Sequence, residues 1–181
     1  EWGEEDEASA PPEQAGHLAD DDDLSLSGLE TLSDIPVELQ SFPRTDIGNA
    51  ERLVANHGAD VRYCELWRSW TIWDGRRWQR DQTGEIMRRA KHTVRRIMLE
   101  GANEPVDKLR AALGKWAATS ESQPRQNAMV ALAKSHVPVH PDDFDTDPLA
   151  LNVLNGIVDL RDGRLHPHER ERMVTKLAPI K

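Results

Sequence analysis

One cysteine, one tyrosine and two phenylalanines are spread over 181 residues. No apolar run approaches the ~18 residues that a membrane span requires. The lone Cys64 can form neither an internal disulfide nor a cysteine-rich zinc site, which fits a reducing compartment, the cytoplasm. No basic stretch followed by an apolar one opens the chain, so no secretory signal is expected. Phosphate-binding glycine loops are missing too. Neither Gly-x-x-x-x-Gly-Lys-Ser/Thr nor Gly-x-Gly-x-x-Gly is present, so no nucleoside triphosphatase site is expected. The last absence is of one charge: residues 1–43 contain 13 acids and no Lys or Arg. All 23 bases therefore face the other 19 acids in residues 44–181. The formal charge of −9 averages an acidic leader and a basic body and describes neither.

The acidic leader, residues 1–44, reads as a disordered linker. It holds Pro11-Pro12 and the run Asp20 to Asp23, and low hydrophobicity with one-signed charge cannot offset the entropy of ordering. Leu24, Leu26, Leu29, Leu32, Ile35, Val37, Leu39 and Phe42 are set among these acids, an alternation that can also fold against a partner or the basic body. The chain opens at Glu1 rather than Met and is read as a piece of a longer protein.

The ordered domain is expected over residues 45–181, with an α+β architecture: an amino-terminal β-hairpin, central helices and a small carboxy-terminal antiparallel meander. Asp46 is the expected cap of a helix from Ile47 to His57, which Gly58 would end. Trp67 to Trp78 is aromatic and β-branched on both sides of Asp74-Gly75, a favoured two-residue hairpin turn. Residues 85–100 read as a helix capped by Thr83 and stopped by Gly101. On it Ile86, Met87, Ala90, Val94, Ile97 and Met98 fall within about 120° of one another. Arg88, Arg89, Lys91, His92, Arg95 and Arg96 span about 160° on the opposite side. Two more helices are expected, from about Glu104 and from Gln123 to Lys134, the second with Pro124 in its first turn. Two glycine turns, at Asn155-Gly156 and Asp162-Gly163, divide residues 151–166 into a three-stranded meander.

Three clusters invite chemistry. Asp142, Asp143, Asp145 and Asp147 could serve a metal-dependent nuclease, but a calcium loop fails where Pro148 replaces the required Gly, and turn formation also explains them. His136, His140, His166 and His168 lack the carboxylates or cysteines that would complete a zinc site. Cys64 lies near Tyr63 and Trp67 and reads as a buried thiol. No metal or other cofactor is expected in this chain.

The strongest signal is cationic. Arg76, Arg77, Arg80, Arg88, Arg89, Lys91, Arg95 and Arg96 face only Asp81 and Glu85. A solubilising helix normally mixes signs at i,i+4, and arginine suits phosphate better than lysine does. The strip reads as a phosphate-tracking surface, with a hairpin tryptophan as a stacking platform. Docking of an acidic protein segment, including residues 1–43, or a plain solvated face are the other readings. Trp70, Trp73 and Trp78 suit a core better than a platform.

Several blocks occur together in order: Thr45 to Arg52, Trp73-Asp74-Gly75-Arg76-Arg77-Trp78, Leu151 to Gly163 and Met173-Val174-Thr175-Lys176. In this combination the chain resembles the poxvirus-like amino-terminal domain of phage and plasmid primase-helicases, from about Thr45 to Ile180. The resemblance implies a place in DNA replication beside a primase domain and a superfamily III helicase ATPase, within a homo-oligomeric full-length protein. It implies contact with single-stranded or forked DNA, or alternatively a protein-interaction collar for the helicase ring. It carries no catalytic residues, so any enzymatic activity is expected from the adjacent domains.

Overall fold

A computed structural model describes residues 42–181, so the expectations for residues 1–41 fall outside the described part. The described chain is α+β, with four helices and two small three-stranded antiparallel sheets. Helix α1 (Asp46–His57) leads into strands β1 (Val61–Cys64), β2 (Ser69–Trp73) and β3 (Trp78–Arg80). Helices α2 (Glu85–Asn103), α3 (Asp107–Ser120) and α4 (Gln123–Ala133) follow. Strands β4 (Ala150–Val153), β5 (Gly156–Asp159) and β6 (Arg164–His166) close the order as the expected meander. No helix among the described residues is long and apolar enough to cross a membrane.

The main core lies between the first sheet and three helices. Leu53 of α1, Val61, Tyr63, Trp70 and Ile72 of the sheet, Ile86, Ala90 and Val94 of α2, and Met129 and Ala133 of α4 pack together. Each large side chain buried there stabilises the fold by about 1.5–3 kcal/mol. A second cluster, Ile97, Leu113 and Ala117, joins α2 to α3. Cys64 is fully buried, as its apolar neighbours suggested.

The local details differ from the sequence reading in several places. The hairpin loop between Trp73 and Trp78 has four residues rather than two. Asp74 keeps a negative φ and its carboxylate accepts from the Arg76 and Arg77 amides at 2.8 and 2.9 Å, while Gly75 alone takes a positive φ, +94°. A side-chain-built turn thus replaces the expected backbone-built one. The hairpin also gains β1 as a third strand, with Val61 opposite Ile72. Thr45, not Asp46, caps α1, its hydroxyl accepting from the Gly48 amide at 3.0 Å.

Helix α2 is not capped by Thr83 and does not stop at Gly101. Asp81 accepts from the amides of Thr83, Glu85 and Ile86, at 3.1, 2.8 and 2.8 Å. Gly101 is buried inside the helix, where a Cβ would lie 3.2 Å from that of Leu113. It serves close helix packing instead of termination. Met98, placed on the core face by periodicity, is half exposed, and Thr93 is buried in its stead. Helix α3 starts three residues later than expected, beyond Pro105.

Helix α1 buries polar side chains. Asn49 donates to Ser120 Oγ and accepts from Trp116 Nε1, both at 3.0 Å. Arg52, 2% exposed, donates from Nε to both oxygens of Glu100 on α2. Its terminal nitrogens reach the carbonyls of Pro43 and Phe42 at 3.0 Å each. The chain therefore enters the domain pinned to α1. Gly48 permits this approach, since a Cβ there would lie 2.1 Å from the Pro43 carbonyl oxygen.

The Arg52→Met substitution is expected to lower the free energy of unfolding by about 2–4 kcal/mol, because it strands Glu100 and two carbonyls. Arg110→Met, which breaks an exposed pair with Asp107, should change it by under about 1 kcal/mol. Urea unfolding of both variants checks the contrast, and equal effects would contradict the role given to Arg52.

Candidate nucleic-acid interface

The carboxy-terminal segment sets the position of the hairpin. The backbone amide of Trp78 donates to the Val174 carbonyl, and its indole Nε1 donates to the Arg170 carbonyl, both at 2.8 Å. Asn152 of β4 donates from one amide nitrogen to the Arg76 and Lys176 carbonyls, at 3.0 and 2.8 Å. Arg170 in turn pairs with Asp60 at 2.7 Å. The hairpin tip is thus held against the second sheet and projects its arginines from a fixed base.

A cleft of about 760 Å³ opens beside this tip. Its walls are the β2–β3 hairpin and the first turns of α2, and Thr175 closes one side. The structure brings four of the expected residues together there: Arg77, Arg80, Arg88 and Arg89. Arg80 lies over the Trp67 ring, 4.3 Å from its centre. Arg88 donates to Glu85 at 2.7 Å and to the Thr83 carbonyl and hydroxyl at 2.9 Å each. Arg89 donates to the other Glu85 oxygen at 3.2 Å. Arg77 is held more loosely, 3.6 Å from Asp74, and its Nε is buried without a hydrogen-bond partner.

Lys91, Arg95 and Arg96 continue along the outer face of α2. All three are exposed and make no ion pair among the described residues. Arg76 stands exposed at the hairpin tip. The eight cations therefore form two groups, four in the cleft and three on the helix face, with Arg76 at the tip.

Two acids, Asp81 and Glu85, organise the cleft rather than merely opposing its charge. Burial raises the pKa of Asp81, but the amides of Ile86, Glu85, Thr83 and Gly84 outweigh it and hold the carboxyl below its ordinary value. Burial likewise opposes the ionisation of Glu85, and the hydrogen bonds from Arg88 and Arg89 outweigh it. Both acids stay charged and fix the first turn of α2. The signal for Asp81 was its place just ahead of the helix, within reach of several unpaired amides.

The other clusters disperse. Asp143 accepts from the His140 amide, Asp145 from Thr175, and Asp147 from Arg161. Asp142 faces His140. Among the described residues no three His, Cys, Asp or Glu side chains converge in a way that could hold a metal ion.

The sequence profile described as D5 N terminal like matches residues 50–181, from α1 through the carboxy-terminal segment. The chain belongs to that family. D5 N-terminal-like domains are the amino-terminal domains of phage and plasmid primase-helicase proteins. No curated protein matches the chain. In this D5 N-terminal-like domain the matched span contains both sheets, all of α2 to α4 and every residue of the cationic strip.

One further group flanks the strip. His57, at the end of α1, meets His92 of α2 with their ring nitrogens 3.3 Å apart. Burial, followed by Arg89, His92 and Arg96, lowers the His57 pKa from 6.5 to about 4. The folded state therefore favours neutral His57, and this contribution is complete above pH 6.5. It is lost as pH falls from 6.5 towards 4, where the unfolded chain takes up the proton first. The melting temperature is expected to fall across that window, and the slope should flatten in the His57→Gln variant. An unchanged slope would contradict the assignment.

Proposed function

We propose that this D5 N-terminal-like module contacts single-stranded or forked DNA through phosphates, using Lys91, Arg95 and Arg96 on α2 with Arg76 at the hairpin tip. Arg77, Arg80, Arg88 and Arg89 extend the track into the cleft. The observation that carries this reading is the uneven pairing of arginine. Most arginines elsewhere in the domain, Arg52, Arg125, Arg161 and Arg170 among them, lie against a carboxylate, while Arg62 and Arg68 stand singly without one. On the outer face of α2 the cations are left without one. Unpaired, exposed cations on one rigid helix give a phosphate chain several contacts at once, with no reading of base edges. In a primase-helicase such a module would hold the strand between primer synthesis and unwinding.

The test is fluorescence anisotropy of labelled single-stranded DNA against the 181-residue chain, across a range of salt. Binding is expected to weaken with a slope of about 0.7 in log K per log salt for each phosphate contacted. The Lys91→Glu/Arg95→Glu/Arg96→Glu variant should lose at least about tenfold in affinity and show a shallower slope. Unchanged binding by that variant would overturn the reading.

A second reading, assembly of the helicase ring, is favoured by a different surface. The hairpin aromatics Trp70 and Trp78 are buried and do not supply such a surface. Leu151, Val158 and Leu165 instead stand side by side across the second sheet, and both leucines are exposed. On this reading sedimentation shows a mass that rises with concentration, and Leu151→Lys/Leu165→Lys returns it to that of a monomer. A monomer at all concentrations would dismiss it.

A further inference from the structure

We infer that the cleft beside the hairpin is a nucleobase pocket, in which one unstacked base of a single strand lies on Trp73 while Arg77 and Arg80 hold the adjoining phosphates. This rests on the nucleic-acid reading of the strip and adds the part of the ligand that the cleft would take.

The four tryptophans of the first sheet region differ in what covers them. Trp70 and Trp78 are buried. Trp67 is covered by the near-parallel ring of Phe144 at 5.4 Å and by Arg80 at 4.3 Å. Trp73 is half-buried and lines the cleft. Its aromatic neighbour is Trp78, tilted by 53° at 5.9 Å, and no cation or parallel ring lies over it among the described residues. An indole placed this way offers a π-face to a flat ring, and stacking of this kind accepts any base.

The surroundings suit a nucleotide. The cleft volume falls in the ~300–1,000 Å³ range of small-molecule sites. Gln79 and Gln82 add exposed amides that can donate to or accept from a base edge. Arg77 has a buried Nε with no acceptor, and its nearest carboxylate is beyond hydrogen-bond distance. Its terminal nitrogens make no hydrogen bond among the described residues and belong to a side chain that lines the cleft, so they are what an arriving anion would meet. Base and phosphate would thus be met by different sides of the same recess.

The test compares oligothymidylate with an abasic strand of equal phosphate count, using the 181-residue chain. The unmodified chain should bind oligothymidylate at least about fivefold more tightly than the abasic strand. Trp73→Leu should lose that difference while keeping its affinity for the abasic strand and its salt slope. Trp73→Phe should restore the difference, and melting curves of both variants confirm that they fold. Equal binding of the two strands by the unmodified chain overturns the pocket and leaves the phosphate reading standing. So does a preference that survives in Trp73→Leu. If neither strand binds at low salt, both readings fall together.

Discussion

Trp78 brings two N–H groups into a site from which water is excluded, and each must find an acceptor there. Both acceptors are carbonyls of the carboxy-terminal segment, Val174 for the amide and Arg170 for the indole. The first sheet is therefore completed by residues that follow the second. Asn152 repeats the device from the other side by binding carbonyls of Arg76 and Lys176. The residues Asp145 and Met173 both take positive φ, +53° and +50°, and the Asp145 amide donates to the Met173 carbonyl at 3.1 Å. Without this stitching the hairpin tip would have no fixed relation to β4. The cleft that depends on the tip would lose its wall.

The cationic strip is as much a product of pairing elsewhere as of its own residues. Asp46, Asp60, Asp147 and Glu100 are each taken by an arginine that holds two elements together. Acids near α2 are used at its first turn, Asp81 for the amides and Glu85 for Arg88 and Arg89. None remains for the later turns. A helix whose first turn is neutralised and whose middle is not presents its charge where the surface is open, a favourable arrangement for a long anionic chain.

The α+β architecture was legible in the sequence because the period of each element was strong. The two glycine turns in residues 151–166 and the two-sided pattern of residues 85–100 each point to one regular structure. Helix α4 was equally clear from Pro124 in its first turn. What was hidden depended on partners distant in the chain. Arg52 looks like a surface residue until Glu100 and the Phe42 and Pro43 carbonyls surround it. Asp74-Gly75 has the composition of a two-residue turn, yet the Trp73–Trp78 register requires four residues between the strands. The eight cations are close together in sequence, but nothing in their spacing shows that they divide between cleft and helix face, with Arg88 and Arg89 turned to Glu85. Trp73 and Trp67 could not be told apart, since what covers Trp67 is the Arg80 side chain and Phe144, the latter far along the chain.

The link between Trp78 and Arg170 spans 92 residues of sequence. At a synthesis rate of ~5–20 residues per second, the indole emerges about 5–20 s before its acceptor exists. For that interval the first sheet has a large aromatic ring and an open strand edge in water, beside helices that can already form. Nascent chains of this domain therefore pass through a stage with a nearly complete helical core and an unfinished hairpin. Chaperones that recognise exposed aromatic strands would meet the protein at that stage.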